Sequence, residues 1–187
     1  MFNWFKKKKE EKPNFLDVTN MRLNQMRKNG FVDYDLKTWQ VTAVYEYDWG
    51  NNYFADEFQL VEAGETIYLY VEEDGGHLDC SIARKINVNE IDMEDGKDVI
   101  DHILDKEQPP RKVTYRGEVF IKEKESLGYF RDTADGPDDW SEFVTWTFNN
   151  KEGTKSLAIE QWGEQEFASS VSEPIDELMF SNFIMPQ

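Results

Sequence analysis

The chain has 187 residues, of which 38 are acidic and 21 basic, and its formal net charge at pH 7 is −17. Such a charge repels phosphate backbones and argues against a nucleic-acid-binding protein. The one cysteine, Cys80, excludes an intramolecular disulfide and an all-cysteine metal site, so we expect a reducing compartment and a cytoplasmic location.

Residues 1–14 are predicted to form a flexible charged leader. Its apolar residues precede its lysines, which is the reverse of a secretory signal, and no stretch of the sequence is apolar over the roughly 20 residues that span a bilayer. Peripheral contact with an anionic membrane surface is an alternative, because aromatic residues stand beside a lysine cluster. The residues concerned are Phe2, Trp4, Phe5, Lys6, Lys7, Lys8 and Lys9.

The first half of the chain predicts a short helix or helical turn and then four strands. Residues 14–30 suit the helical turn, and Asn29-Gly30 is expected to end it. Strict alternation of apolar and polar residues from Thr38 to Trp49 predicts a strand with one buried face. Three more strands are expected at 53–61, 66–72 and 77–86, with glycine-containing turns between them. Together they form an antiparallel meander.

A helix is predicted over 96–106, because Val99, Ile100, Ile103 and Leu104 recur at helical spacing. Asp95 is the expected N-cap, and Pro109-Pro110 is expected to stop the helix. Strands then resume. Their expected positions are 112–115, 118–124, 140–149, 154–162 and 166–171.

The order of elements in the second half echoes the first half and predicts a tandem duplication. Residues 15–92 are the first β repeat, residues 93–110 the linker helix and residues 111–187 the second β repeat, packed as one compact unit. Two independent meanders are the alternative. The predicted fold class is mainly β, a β-rich α+β fold of two tandem antiparallel meanders, barrel-like or sandwiched, with a linking helix.

No motif identifies a catalytic, cofactor-binding or metal site. His77 and Cys80 lie three positions apart on a predicted strand and so face opposite sides of the sheet, which argues against a shared metal ion. His102 on the linker helix is expected to be an ordinary surface or half-buried histidine. The acidic loop at 132–139 has oxygen ligands that calcium prefers, but its spacing does not fit an EF-hand, and a solvated turn is favoured.

Enzyme signatures are also missing from the sequence. It contains no glycine-rich phosphate loop, no Gly-x-Ser-x-Gly elbow and no His-Glu-x-x-His helix. Counting carboxylates neither supports nor excludes a paired acid and base. We therefore lean towards a protein that is not an enzyme and that needs no cofactor.

Four segments resemble a known family. They are Asp33-Tyr-Asp-Leu-Lys-Thr-Trp39-Gln-Val, Tyr45-Glu-Tyr-Asp-Trp-Gly50, Leu157-Ala-Ile-Glu-Gln-Trp-Gly163-Glu and Phe180-Ser-Asn-Phe-Ile184. From about Phe31 to Pro186 the chain resembles the bacterial domain of unknown function catalogued as number four-one-seven-eight. The resemblance implies a mostly β accessory protein of bacteria, loosely associated with envelope stress and small membrane proteins. It carries over no catalytic residue.

Trp49 and Trp162 stand beside glycines at predicted strand ends and are the candidate partner surface. The alternative is that each tryptophan covers a hairpin end. The preferred function is a non-enzymatic binding or scaffold module whose partner is a protein or a cationic ligand. The rivals are a membrane-peripheral accessory factor in an envelope-stress context and an enzyme with a carboxylate-based site.

Overall fold

The computed structural model describes residues 21–186, and within them twelve strands form one antiparallel sheet. The strands of the first half are β1 (Phe31–Tyr34), β2 (Lys37–Asp48), β3 (Phe54–Glu62), β4 (Glu65–Asp74), β5 (His77–Ile86) and β6 (Ile91–Asp92). Those of the second half are β7 (Lys112–Tyr115), β8 (Glu118–Asp132), β9 (Ser141–Asn150), β10 (Ser156–Trp162), β11 (Glu166–Ile175) and β12 (Phe180–Ile184). The prediction of a mainly β fold is confirmed.

Helical structure in the described residues is short. Three 3-10 turns lie at Leu23–Gln25, Val88–Glu90 and Glu177–Met179, and the α-helix α1 spans Val99–Lys106. The helical turn predicted over 14–30 lies partly outside the described residues. Within them it is reduced to the first of these 3-10 turns, and Asn29 has the left-handed φ of 67° expected at its end.

Helix α1 forms where the periodicity predicts it, but its cap is one turn later than expected. Asp98 is the N-cap, since its Oδ1 accepts hydrogen bonds from the backbone N–H groups of Ile100 (2.8 Å) and Asp101 (3.1 Å). Asp95 instead accepts from the N–H of Lys97 in the preceding turn. Glu107, with a φ of 57°, ends the helix before the two prolines.

Eight of the strands form a ring. In order around it they are β2, β3, β4, β5, β11, β10, β9 and β8, and β2 then pairs with β8. This last ladder is short and runs from Tyr45 opposite Asp132 to Asp48 opposite Tyr129. A side-chain contact supports it, because Arg131 Nε donates to Glu46 Oε2 at 2.6 Å. The β1–β12 and β7–β6 pairs extend the sheet beyond the ring on either side of this closure.

The apolar cores lie on the outward side of the ring strands. The first core is built on β2 to β5 and is covered by β1, β12 and the first 3-10 turn. The second core is built on β8 to β11 and is covered by β6, β7 and α1. Members of the first core include Val32, Trp39, Phe58, Leu60, Ile67, Leu69 and Ile82. Members of the second include Val113, Phe120, Trp146, Phe148, Leu157, Ile159, Val99 and Ile103.

The same order of elements occurs twice along the chain. A hairpin (β1–β2, β7–β8) is followed by three strands, a 3-10 turn and a short strand (β6, β12). Corresponding strands pair with each other, β2 with β8 and β5 with β11, and the short strand of each half pairs with the hairpin of the other. The tandem duplication and its boundaries stay a prediction. No helix among residues 21–186 has the length and apolar character needed to cross a membrane.

Candidate functional site

The interior of the ring holds two adjoining chambers, of about 820 Å³ and about 360 Å³. Both are lined by Tyr47, Glu57, Ala83, Glu160 and Ser170, so they meet in the middle of the ring. Volumes of about 300–1,000 Å³ are usual for sites that bind small molecules. The interior is therefore the candidate site.

Strand alternation explains why charged residues reach this interior. Side chains along a strand point to opposite faces in turn. On β3, Phe58 packs into the first core and its neighbour Glu57 faces inward, and on β10, Ile159 packs into the second core and Glu160 faces inward. The two carboxylates thus come from strands about one hundred positions apart in the sequence.

The two inward glutamates have perturbed ionisation. The pKa of Glu57 is raised to about 7, chiefly by burial and secondly by the nearby charge of Glu160, whereas Lys85 and the Tyr47 hydroxyl oppose the rise. Burial also raises the pKa of Glu160, opposed by Lys85 and by Trp162, whose Nε1 donates to Glu160 Oε2 at 3.3 Å. Near neutral pH, Glu57 is therefore only partly ionised.

Aromatic side chains occupy the region where the two chambers adjoin. This aromatic cluster consists of Tyr47, Trp49, Tyr70, Phe130, Phe143 and Trp162. Phe143 stacks on Trp162 with ring centroids 4.5 Å apart and meets Trp49 edge to face at 5.4 Å. Trp49 is fixed further, since its Nε1 donates to the Tyr70 hydroxyl at 2.9 Å.

Gly128 makes room for this cluster. A Cβ at position 128 would lie 2.8 Å from Cε3 of Trp49 and 3.2 Å from Cε1 of Phe143, closer than carbon atoms approach without displacement. Any side chain on β8 at this point would push the tryptophan out of its stack. The glycine is therefore part of the site's construction.

Hydroxyl groups line the other wall of the larger chamber. This hydroxyl wall consists of Ser81, Ser126, Thr145, Thr147, Ser156, Ser170 and Ser172, from β5 and from β8 to β11. The aromatic side chains that line this chamber include Tyr47 on β2, Trp49 directly after β2 and Tyr70 on β4. The larger chamber thus places aromatic faces on one side and hydrogen-bonding groups on the other.

The two tryptophans singled out from the sequence are brought together by the fold. Trp49 and Trp162 are both half-buried, and both contact Phe143. Trp49 lines the larger chamber, and Trp162 lines the smaller one. Their role as a partner surface stays a prediction. Glu57, Glu160 and Lys85 were not predicted as site residues, and the only sequence signal for them was their position on the polar face of an alternating strand.

Apart from Asp132, which lines the smaller chamber, the other candidates from the sequence lie away from the interior. His77 is exposed and Cys80 is buried in the first core, and burial raises the pKa of the Cys80 thiol to about 11. In the acidic loop, Asp132 accepts from the N–H of Ala134 and Asp139 from that of Gly136, so these carboxylates stabilise turns. Residues 21–186 contain no cluster of three potential metal ligands. The aromatic and lysine residues at 2–9 lie outside the described part of the chain.

Fold and site together define an all-β protein with a polar, aromatic-lined interior enclosed between two apolar cores. Within this class the chain belongs to the family described as Domain of unknown function (DUF4178), whose model matches residues 27–177. The resemblance drawn from the sequence is thereby confirmed. The chain is also 24% identical over 170 residues to an "Uncharacterized protein" of Aquifex aeolicus (strain VF5), covering 90% of this chain and 88% of that protein. No solved structure matches it.

Proposed function

We propose that the protein is a binding module that takes a small organic cation into the ring, with the ammonium group between Glu57 and Glu160. The observation that carries the proposal is that these two carboxylates face the same two adjoining chambers inside the ring. Two like charges held together in a partly desolvated space repel each other, and a bound cation relieves that repulsion. When no cation is bound, the Glu57 carboxylate takes up a proton instead.

The charge inside the ring is unbalanced. Four acidic side chains line the two chambers (Glu57, Glu72, Asp132 and Glu160) against two lysines (Lys85 and Lys124). Lys85 acts on both inward glutamates, but it is exposed and its Nζ lies 4.7 Å from the centroid of the Tyr68 ring. Two lysines against four carboxylates leave a negative charge for a ligand to neutralise.

The aromatic cluster suits the same kind of ligand. Cations bind over the faces of tryptophan, tyrosine and phenylalanine, and aromatic cages recognise ammonium groups in this way. Trp162 lies beside Glu160, to which it donates a hydrogen bond. Carboxylate and aromatic faces therefore meet at the point where the ammonium group is placed.

The test is isothermal titration calorimetry of the full chain with butylammonium and, as an uncharged comparison of similar size, 1-pentanol. We expect the cation to bind and the alcohol not to bind. Because the cation favours the ionised form of Glu57, affinity should rise as the pH is increased from 6 to 8, with release of protons to the buffer.

Matched variants locate the site. Glu57→Gln with Glu160→Gln should abolish binding, whereas Glu152→Gln, which changes an exposed loop carboxylate, should leave it unchanged. Equal affinity for the alcohol and the cation, or unchanged affinity in the double variant, would refute the proposal.

A second function is favoured by one observation, the pKa of Glu57 near 7 beside the Tyr47 hydroxyl. A carboxyl group that titrates near working pH in a cavity suits general acid–base catalysis. Recovery of an intact probe after long incubation supports the binding module, and conversion of the probe that is lost in Glu57→Gln supports the enzyme.

A further inference from the structure

We propose that the ligand's remaining atoms carry several hydroxyl groups, so that the larger chamber prefers an amino sugar or amino polyol over an alkylammonium ion of similar size. This inference rests on the proposed function for the position of the ammonium group. It is carried by a separate feature, the hydroxyl wall.

The wall begins at the proposed ammonium site and runs outward from it. In the ladders, Glu160 lies opposite Thr145, and Thr145 lies opposite Ser126. The next row pairs Ala158 with Ser170, and the row after that pairs Ser156 with Ser172. Residues directly opposite in an antiparallel sheet project on the same face. A cation held at Glu160 therefore has hydroxyl groups along its flank.

Thr145 offers its hydroxyl to the chamber. The residue is 7% exposed and lines the larger chamber, and its hydroxyl makes no hydrogen bond to another residue in 21–186. Since this hydroxyl is not one of the buried polar atoms without a partner in that range, solvent in the chamber reaches it, and a ligand hydroxyl can take the place of that solvent. Ser156 differs, since its Oγ donates to Asn149 Oδ1 at 2.8 Å.

The two opposite walls of the larger chamber also suit a cyclic ligand that has apolar faces and a polar edge. The Tyr47 and Trp49 rings stack at 5.5 Å and present apolar faces from the other side. A sugar ring has C–H faces that pack on aromatic rings and hydroxyl groups at its edge. Serine and threonine hydroxyls both donate and accept, so they match a ligand hydroxyl in either direction. An alkyl chain would offer these hydroxyl groups no hydrogen-bond partner.

The experiment compares three probes by calorimetry on the full chain at pH 7, where the amino groups of both amine probes are mostly protonated. Glucosamine has the ring, the hydroxyl groups and the charge, cyclohexylammonium has a ring and the charge, and glucose has the ring and the hydroxyl groups. We expect glucosamine to bind at least about tenfold more tightly than cyclohexylammonium, which corresponds to 1.4 kcal/mol or more. Glucose should not bind measurably.

Two conservative variants test the wall itself. Thr145→Val and Ser170→Ala should each weaken glucosamine binding by about fivefold, the worth of one hydrogen bond. Neither should change the affinity for cyclohexylammonium. Ser181→Ala, at an exposed position on β12, should change neither affinity. Urea denaturation of each variant checks that it is folded.

The outcomes separate this inference from the proposed function. If cyclohexylammonium binds as tightly as glucosamine, or Thr145→Val weakens both probes equally, the hydroxyl preference is overturned and the cation site stands. If glucose binds as tightly as glucosamine, the cation site is overturned and the hydroxyl wall stands. If no probe binds, both are overturned.

Discussion

The two faces of the ring strands differ sharply. On β3, β4 and β5 the outward residues Phe58, Leu69 and Ile82 are at most 4% exposed and belong to the first core. Their inward neighbours on the same strands are Glu57, Tyr70 and Ala83, which line the chambers. Most of the stabilising apolar burial therefore lies outside the ring, and inside it apolar packing is confined to the aromatic cluster and Ala55.

The two apolar cores outside the ring distinguish this protein from a closed sheet of eight strands whose interior is its core. In such rings the interior is commonly just wide enough to be filled by side chains or to hold one small ligand. Here two cores outside the ring replace that filling. Polar groups inside are then tolerated because the cores already offset the cost of ordering the chain.

The largest expected effect comes from the outward face. Phe148 is 0% exposed in the second core, and Phe148→Ala should lower the free energy of unfolding by about 3–5 kcal/mol through lost burial and the cavity left behind. Leu127→Ala, at a side chain that is 67% exposed, should change it by less than about 0.5 kcal/mol. Urea denaturation measures both. A similar loss in both variants would show that burial in the second core is not what makes the Phe148 side chain stabilising.

The inward face should show itself in the pH dependence of stability. Glu57 titrates near 4.5 when unfolded and near 7 when folded, so the native state holds more protons between these values. Stability should therefore fall as the pH rises from 4.5 to 7, by up to about 3 kcal/mol from this group. Burial also raises the pKa of Asp56, to about 6. Asp56 therefore adds a smaller decrease in stability as the pH rises above 3.8.

Glu57→Gln tests whether this decrease comes from Glu57. In this variant, stability should change much less between pH 4.5 and 7. Glu152→Gln serves as the control and should keep the wild-type slope. Denaturation with urea at several pH values measures the effect. Stability that rises across this range, or equal slopes in the two variants, would show that Glu57 is not held in a desolvated place.

A smaller effect is expected at the cover of the second core. Asp98→Ala removes two hydrogen bonds at the start of α1 and should cost about 1 kcal/mol. Asp95→Ala is the informative comparison, because the sequence alone favoured Asp95 as the cap. A larger loss at position 95 than at position 98 in thermal denaturation would reverse the assignment.

The smallest effect should come from the hydroxyl wall. Thr145→Val keeps the shape of the side chain and removes a hydroxyl that faces the chamber and bonds to no other residue in 21–186, so the free energy of unfolding should change by less than about 0.5 kcal/mol. A loss above about 1 kcal/mol in urea denaturation would mean that the hydroxyl already has a stabilising partner in the free protein.

Most of the strands were predictable because alternation is a local signal. Ile67, Leu69 and Val71 were assigned to one face and Tyr68 and Tyr70 to the other, and the structure keeps that division. Strand β8 runs on to Asp132 instead of ending near Lys124, because its later residues pair with β9 and β2 although their pattern is irregular. Tertiary pairing of this kind has no local signature.

The site was less predictable than the strands. Alternation separates two faces but does not tell which face meets a core and which meets an interior. The closure of β2 on β8 and the meeting of Glu57 with Glu160 both join segments far apart in sequence. Trp49 and Trp162 were found by their strand-end positions, but their common contact with Phe143 follows only from the closed ring.

Each half of the chain supplies a short strand, β6 or β12, to the sheet edge of the other half, so the halves are not independent of each other. Strand β6 completes the hairpin that begins with β7, and β12 completes the hairpin that begins with β1. Fragments cut within the segment between β6 and α1 would each lack the edge strand held by the other, as well as the β5–β11 and β2–β8 partners. Such fragments are suited to complementation: neither completes its own sheet, and mixing the two restores every ladder of the ring.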